Sequence, residues 1–189
     1  MTETVLTLKA PLIKSLDNTL IMNISQLFSQ TPLDTLFECF TWLRAEQKPT
    51  YKNTIATLAS NRRLRPVFIT KKPLQDQFKW IAAQLSRKEN NMVGEHLLQV
   101  WFMEGKQDLL VDFCDHLNIA HDGSGTVESE LPESFDSELL QKAIDQLLDK
   151  YTHSLVSLYL HIFNMQKQDG WPELTDRLNS DARLELKGQ

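Results

Sequence analysis

The sequence predicts an all-α protein, either an irregular multi-helix bundle or a short α-solenoid-like stack of about three αα-hairpins. Three observations predict it. Apolar residues recur at i, i+3, i+4 and i+7 along most of the 189 residues. Glycine occurs only 6 times, whereas a β-sandwich or barrel needs a turn signal roughly every ten residues. The chain is also punctuated at helix-length intervals by proline, asparagine and glycine.

The opening residues are ambiguous. Leu6 and Leu8 alternate with Thr7 and Lys9, Pro11 interrupts that pattern, and a short helix is expected from Leu20 to Ser29. Thr31-Pro32 reads as an N-cap followed by proline at the first helical position. Leu33, Leu36, Phe37, Phe40 and Leu43 then form one stripe that closes at Lys48-Pro49, and Tyr51, Ile55 and Leu58 mark the next helix. Pro66-Val67-Phe68-Ile69-Thr70 is the stretch with the strongest β character. Pro73 opens a helix carrying Leu74, Phe78, Ile81 and Leu85, and Asn90 or Asn91 is the expected cap of another carrying Val93, Leu97, Val100 and Trp101. Gly105 breaks that helix, and Leu109, Leu110, Phe113 and Leu117 define its partner. After the loop 119–135, an amphipathic helix is expected from Phe135 to Tyr151, then one carrying Leu155 to Phe163. Gly170-Trp171-Pro172 turns into a last helix before a polar tail, 180–189. The expected organisation is one helical domain over 1–189, with 1–66 and 67–189 as possible sub-lobes.

Two segments resemble one another. Gln84-Leu85, Trp101-Phe102-Met103 and Asp115-His116-Leu117 recur as Gln146-Leu147, Phe163-Asn164-Met165 and Asp176-Arg177-Leu178, the first pair lying 62 residues apart. A fainter echo runs from Leu36 to Leu58. Each unit reads as a helical hairpin that must bury its apolar face on a neighbour.

Composition narrows the class of function. Hydrophobic residues make up 41% and charged residues 24% of the chain, enough to build a core. A net charge of −5 gives no global attraction for nucleic acid or anionic membrane. No stretch approaches the roughly 18 apolar residues of a membrane span, and Met1-Thr2-Glu3-Thr4 carries an acid where a signal peptide is basic. Cys39 and Cys114 lie in apolar helical runs and read as buried, reduced thiols. A cytoplasmic protein is the expectation.

The sharpest local feature is electrostatic. Asn61 to Lys72 holds Arg62, Arg63, Arg65, Lys71 and Lys72 with no acid, so the rest of the chain carries 15 basic against 25 acidic residues. Arginine forks suit phosphate and carboxylate, and Phe68 among them offers a ring for stacking or for an apolar contact. The candidate binding residues are therefore Arg62, Arg63, Arg65, Phe68, Lys71 and Lys72. Glu128, Glu130, Glu133, Asp136 and Glu138 are an acidic counterpart, able in principle to neutralise the basic stretch within one chain or between copies.

Other constellations carry less. Cys114, His116 and His121 cluster in sequence, but Cys114 and His116 point to different faces of a helix. His121-Asp122-Gly123-Ser124-Gly125 lacks the lysine and spacing of a phosphate loop, and its glycines read as positive-φ turn residues. His161 reads as an interior or boundary histidine, and the four tryptophans as inter-helix filler, with an aromatic groove as the alternative. No catalytic frame, cofactor motif or metal motif is present in the sequence. The expectation is a non-catalytic interaction or scaffold protein whose partner is another protein or a second copy of itself. Nucleic acid or another polyanion, bound through 62–72, is the alternative, and a membrane partner is not expected.

Overall fold

Helix ends have to satisfy four unpaired N–H groups, and the first helix shows how this chain does so. The computed structural model describes residues 21–127 and 130–188, so the Leu6–Leu8 alternation, Pro11 and Leu20 lie outside it. Helix α1 (Ile24–Gln30) starts with a reciprocal capping box: Asn23 Oδ1 accepts from the Gln26 N–H at 3.1 Å, and Gln26 Oε1 accepts from the Asn23 N–H at 2.8 Å. A further orphan, the Ser25 N–H, donates to Asn91 Oδ1 at 3.0 Å across the helix interface. Asn91 thus caps α1 instead of the helix it begins.

The chain continues through α2 (Leu33–Glu46), α3 (Lys48–Asn61), α4 (Val67–Thr70), α5 (Leu74–Leu85), α6 (Asn91–Val100), α7 (Gln107–His116), α8 (Ser137–Lys150), α9 (His153–Asn164) and α10 (Pro172–Ser180). The fold is all-α: ten α-helices and no strand occur among the described residues. Two expected caps do other work. Thr31 donates its hydroxyl back to the Leu27 carbonyl at 2.7 Å, so Pro32 becomes the N-cap of α2 and Leu33 its first residue. Asn90 stands at the N-cap of α6, yet its side chain donates to the Gln84 carbonyl and accepts from Asn61 Nδ2, both at 2.8 Å. Asp136 is the cap of α8, which leaves Phe135 and Tyr151 just outside that helix.

Apolar stripes bring these helices together. α1 packs on α5 and α6, α2 on α3 and α5, and α7 on α8, while α9 packs on α8 and α10. Gly94 lets α1 and α6 approach closely, because a Cβ there would stand 2.7 Å from the Phe28 ring. A single π turn, Trp101–Gly105, joins α6 to α7 and also touches α2. One connected cluster of buried residues runs from Ile24 to Leu186. The tail expected to be polar contributes Leu184 and Leu186 to it.

Aromatic rings organise this core in two groups. Phe37 and Phe40 of α2, and Tyr51 of α3, surround Phe78 of α5 with centroids 5.3, 5.6 and 6.3 Å away. In the other group Phe113 contacts Phe163 at 4.9 Å, and Phe163 stacks on Trp171 at 5.0 Å. Trp101 and Trp171 are fully buried in the core, and Trp42 and Trp80 pack against it partly buried.

The two look-alike segments share an order of elements: helix end, helix, helix. They do not share neighbours. The first inserts the 3-10 turn Lys88–Asn90 and the π turn, and its α7 leans on α8; in the second, α10 folds back onto α8 and α9.

Asn164 holds the second segment's turn. Its Oδ1 accepts from the Trp171 N–H at 2.8 Å, and its Nδ2 donates to Thr175 Oγ1 at 2.9 Å. Gly170, at φ +66°, leaves room for it, since a Cβ would lie 2.8 Å from the amide. Asn164→Ala strands buried groups on two partners and is expected to cost about 3 kcal/mol. For a chain of this size that lowers Tm by roughly 6–12 °C in a thermal melt.

His161 on α9 is buried, and burial pulls its imidazolium down to about 4 from its usual 6.5. The unfolded chain therefore takes up a proton near pH 6.5 that the folded chain refuses until about pH 4. Stability is full above pH 6.5 and falls by about 3 kcal/mol as pH drops through that window. Urea titrations at pH 7 and pH 4.5 are expected to show His161→Asn losing less stability than wild type on acidification.

Candidate binding surface

The basic segment begins where α3 stops. The Leu64 N–H reaches the Ala59 carbonyl and the Arg63 N–H the Ser60 carbonyl, both at 2.8 Å. This is a Schellman ending, which requires a left-handed residue at its hinge. Arg63 occupies that hinge at φ +54°, where glycine would be unstrained. A second such ending, after α7, uses Asn118 at φ +55°, a residue better suited to the region.

The reversal turns the chain outward into Pro66 and α4. Pro66 to Thr70 is a helical turn and not a strand, a correction to its β-rich composition. Strand propensity needs a neighbouring strand, and none occurs among the described residues. Pro66 instead presets a helical φ of −53°, and its carbonyl accepts from the N–H groups of Ile69 and Thr70 at 2.9 and 3.0 Å.

α4 is held lightly. Ile69 is its one buried side chain, and every other residue from Ser60 to Asp76 is exposed. The Gln77 amide ties the segment down from below, donating to the Thr70 and Lys72 carbonyls at 3.2 and 2.8 Å while its Oε1 accepts from the Tyr51 hydroxyl. Phe68 is 60% exposed, Val67 44% and Leu64 42%. Together with Leu74 these are four of the six large apolar side chains exposed among the described residues. Arg62, Arg63, Arg65, Lys71 and Lys72 flank them along the chain, all exposed.

None of these five cations forms an ion pair among the described residues. The backbone of the acidic counterpart is anchored elsewhere, while the carboxylates of Glu130, Glu133 and Glu138 make no ion pair among the described residues. Asp136 caps α8, Trp171 Nε1 donates to the Pro132 carbonyl at 2.7 Å, and Lys167 donates to the Glu133 carbonyl at 2.6 Å. Glu128 lies outside the described residues. The sequence marked the cations and Phe68, whereas Leu64 was not singled out and Val67 stood only as part of the β-rich stretch. Their flanking charges were the signal that they stay outside.

The remaining sequence candidates are spoken for. His121 Nδ1 accepts from the Gly123 N–H at 3.1 Å, which puts the ring proton on Nε2, 3.0 Å from Asp115. Gly123 and Gly125 take φ +86° and +84° as expected, and Asp122 ties the turn by accepting from Ser124 and Thr126. Those bonds, the Ser124 hydroxyl's first, hold its carboxyl below the usual range. Cys39 and Cys114 are free and buried, and burial pushes the Cys114 thiol up to about 11. Among the described residues, no group of three or more His, Cys, Asp or Glu side chains is placed to share a metal ion. No described helix is long and apolar enough to cross a membrane. Comparison with known protein families, curated proteins and solved structures gives no match.

Arg63→Gly is expected to raise stability by about 1 kcal/mol, because the hinge strain disappears and the exposed side chain has no partner to lose. Chemical denaturation of the two proteins side by side measures this, and a destabilised variant would contradict the strain argument.

Proposed function

We propose that the protein is a non-catalytic binding module whose working surface is the exposed tip from Arg62 to Lys72. Its partner on this reading is another protein, presenting an acidic segment with apolar side chains. The observation that carries it is the coincidence of two features usually kept apart. Three apolar side chains, Leu64, Val67 and Phe68, stand in solvent at the centre of the tip. Five cations with no described acidic partner flank them along the chain. An apolar centre with a charged rim is the anatomy of a protein interface, and the sign of the rim specifies an acidic partner. The acidic loop of a second copy, with Glu130, Leu131 and Glu133, has the same chemistry.

A second reading, single-stranded nucleic acid, is favoured by one specific observation, the open ring of Phe68 among arginines. Fluorescence anisotropy separates the two. The probes are a labelled peptide of residues 126–138 of this chain and a labelled single-stranded oligonucleotide. The protein reading expects the peptide to bind and to weaken about tenfold with Phe68→Ala, a loss of one buried aromatic contact. Oligonucleotide binding that falls steeply with salt, with no peptide binding, would favour the second reading. Binding of neither probe at low salt would refute both.

A further inference from the structure

The basic character of this molecule extends beyond the tip. Between α2, α3, α4 and α5 lies an open cleft of about 540 Å³, lined by Thr41, Arg44, Lys48, Tyr51, Lys52 and Thr70 among others. Three cations converge on it, from the last turn of α2 and the first two turns of α3, and no carboxylate lines it among the described residues. Arg44, Lys48 and Lys52 are exposed and form no ion pair among the described residues. Thr41 adds a hydroxyl donor and Thr70 a second once its hydroxyl turns from the Val67 carbonyl, 3.4 Å away, while the buried Tyr51 and Ile55 form an apolar floor. With the tip included, residues 41–75 hold eight cations against the single acid Glu46, leaving 12 basic and 24 acidic residues elsewhere.

Three like charges around one cavity concentrate a positive field that an entering anion meets from several sides. The positive end of α3, where Lys48 stands, adds to the field. Arginine contributes a planar fork for bidentate oxygen contacts, and the lysines are point charges that follow a chain of phosphates. The volume is that of a small-molecule site.

We propose that this cleft is a binding site for a small molecule bearing several phosphates, held by Arg44, Lys48 and Lys52 with Thr41 and Thr70 as hydroxyl donors. The cleft adjoins the tip through Thr70, but its three cations lie outside the tip and the proposal does not depend on the protein-binding reading.

Inorganic tripolyphosphate is the probe, titrated into the full chain by calorimetry at low salt, with citrate as a carboxylate anion for comparison. The expected result is saturable one-to-one binding of tripolyphosphate, at least about tenfold tighter than citrate. Arg44→Ala/Lys48→Ala/Lys52→Ala should abolish it, and Thr41→Glu, which places a carboxylate at the cleft, should weaken it by about tenfold or more. Arg62→Ala/Arg63→Ala/Arg65→Ala should leave it within about twofold. All these side chains are exposed, and circular dichroism of each variant checks that the fold is kept. Absence of binding, equal binding of citrate, or equal losses in the cleft and tip variants would overturn the proposal.

Discussion

One ring fixes the geometry on which the charged half of the molecule depends. Phe78 projects from α5 into a cage made by Phe37 and Phe40 of α2 and Tyr51 of α3. Inclined and edge-on contacts suit the opposed charge of aromatic faces and edges, so the three helices are held at set angles rather than merely in contact. The next residue back, Gln77, shares Tyr51 as a neighbour and carries that contact outward. It takes the Tyr51 hydroxyl and gives two hydrogen bonds to the backbone on either side of Lys71. Core and tip are therefore joined through adjacent side chains of one helix.

The second aromatic group performs a complementary task. Phe135 lies against Trp171 and Phe163, and the Trp171 indole is bonded to the carbonyl of Pro132. These contacts pin the acidic loop to α9 and α10. Charge segregation in this protein is thus a product of core contacts: opposite signs are anchored to different aromatic groups. Among the described residues no ion pair joins the two stretches.

The helical stripes were legible because burial leaves a period that survives local irregularities. Leu33 to Leu43, Phe78 to Leu85 and Leu140 to Leu147 all run as their spacing implies. Caps were less legible. Thr31, Asn90 and Asn91 are the residue types that cap helices, but each spends its polar atoms on a different partner, two of them across long sequence separations. Residue type does not reveal which orphan group is nearest in space. Pro66 to Thr70 misled for a related reason, since β-branched composition has meaning only beside another strand. The site divides in the same way. Arg62 to Lys72 is contiguous and visible, whereas Arg44, Lys48 and Lys52 sit among ordinary surface residues until two helix ends and α4 converge.

The prolines at either end of α4 have a kinetic meaning. Pro66 and Pro73 restrict the segment in the unfolded chain as well as the folded one, so little freedom remains to be lost when the tip is covered. On the reading proposed above, such a surface meets its partner in the shape it keeps, its cations governing how often encounters occur and the exposed ring of Phe68 how long each one lasts.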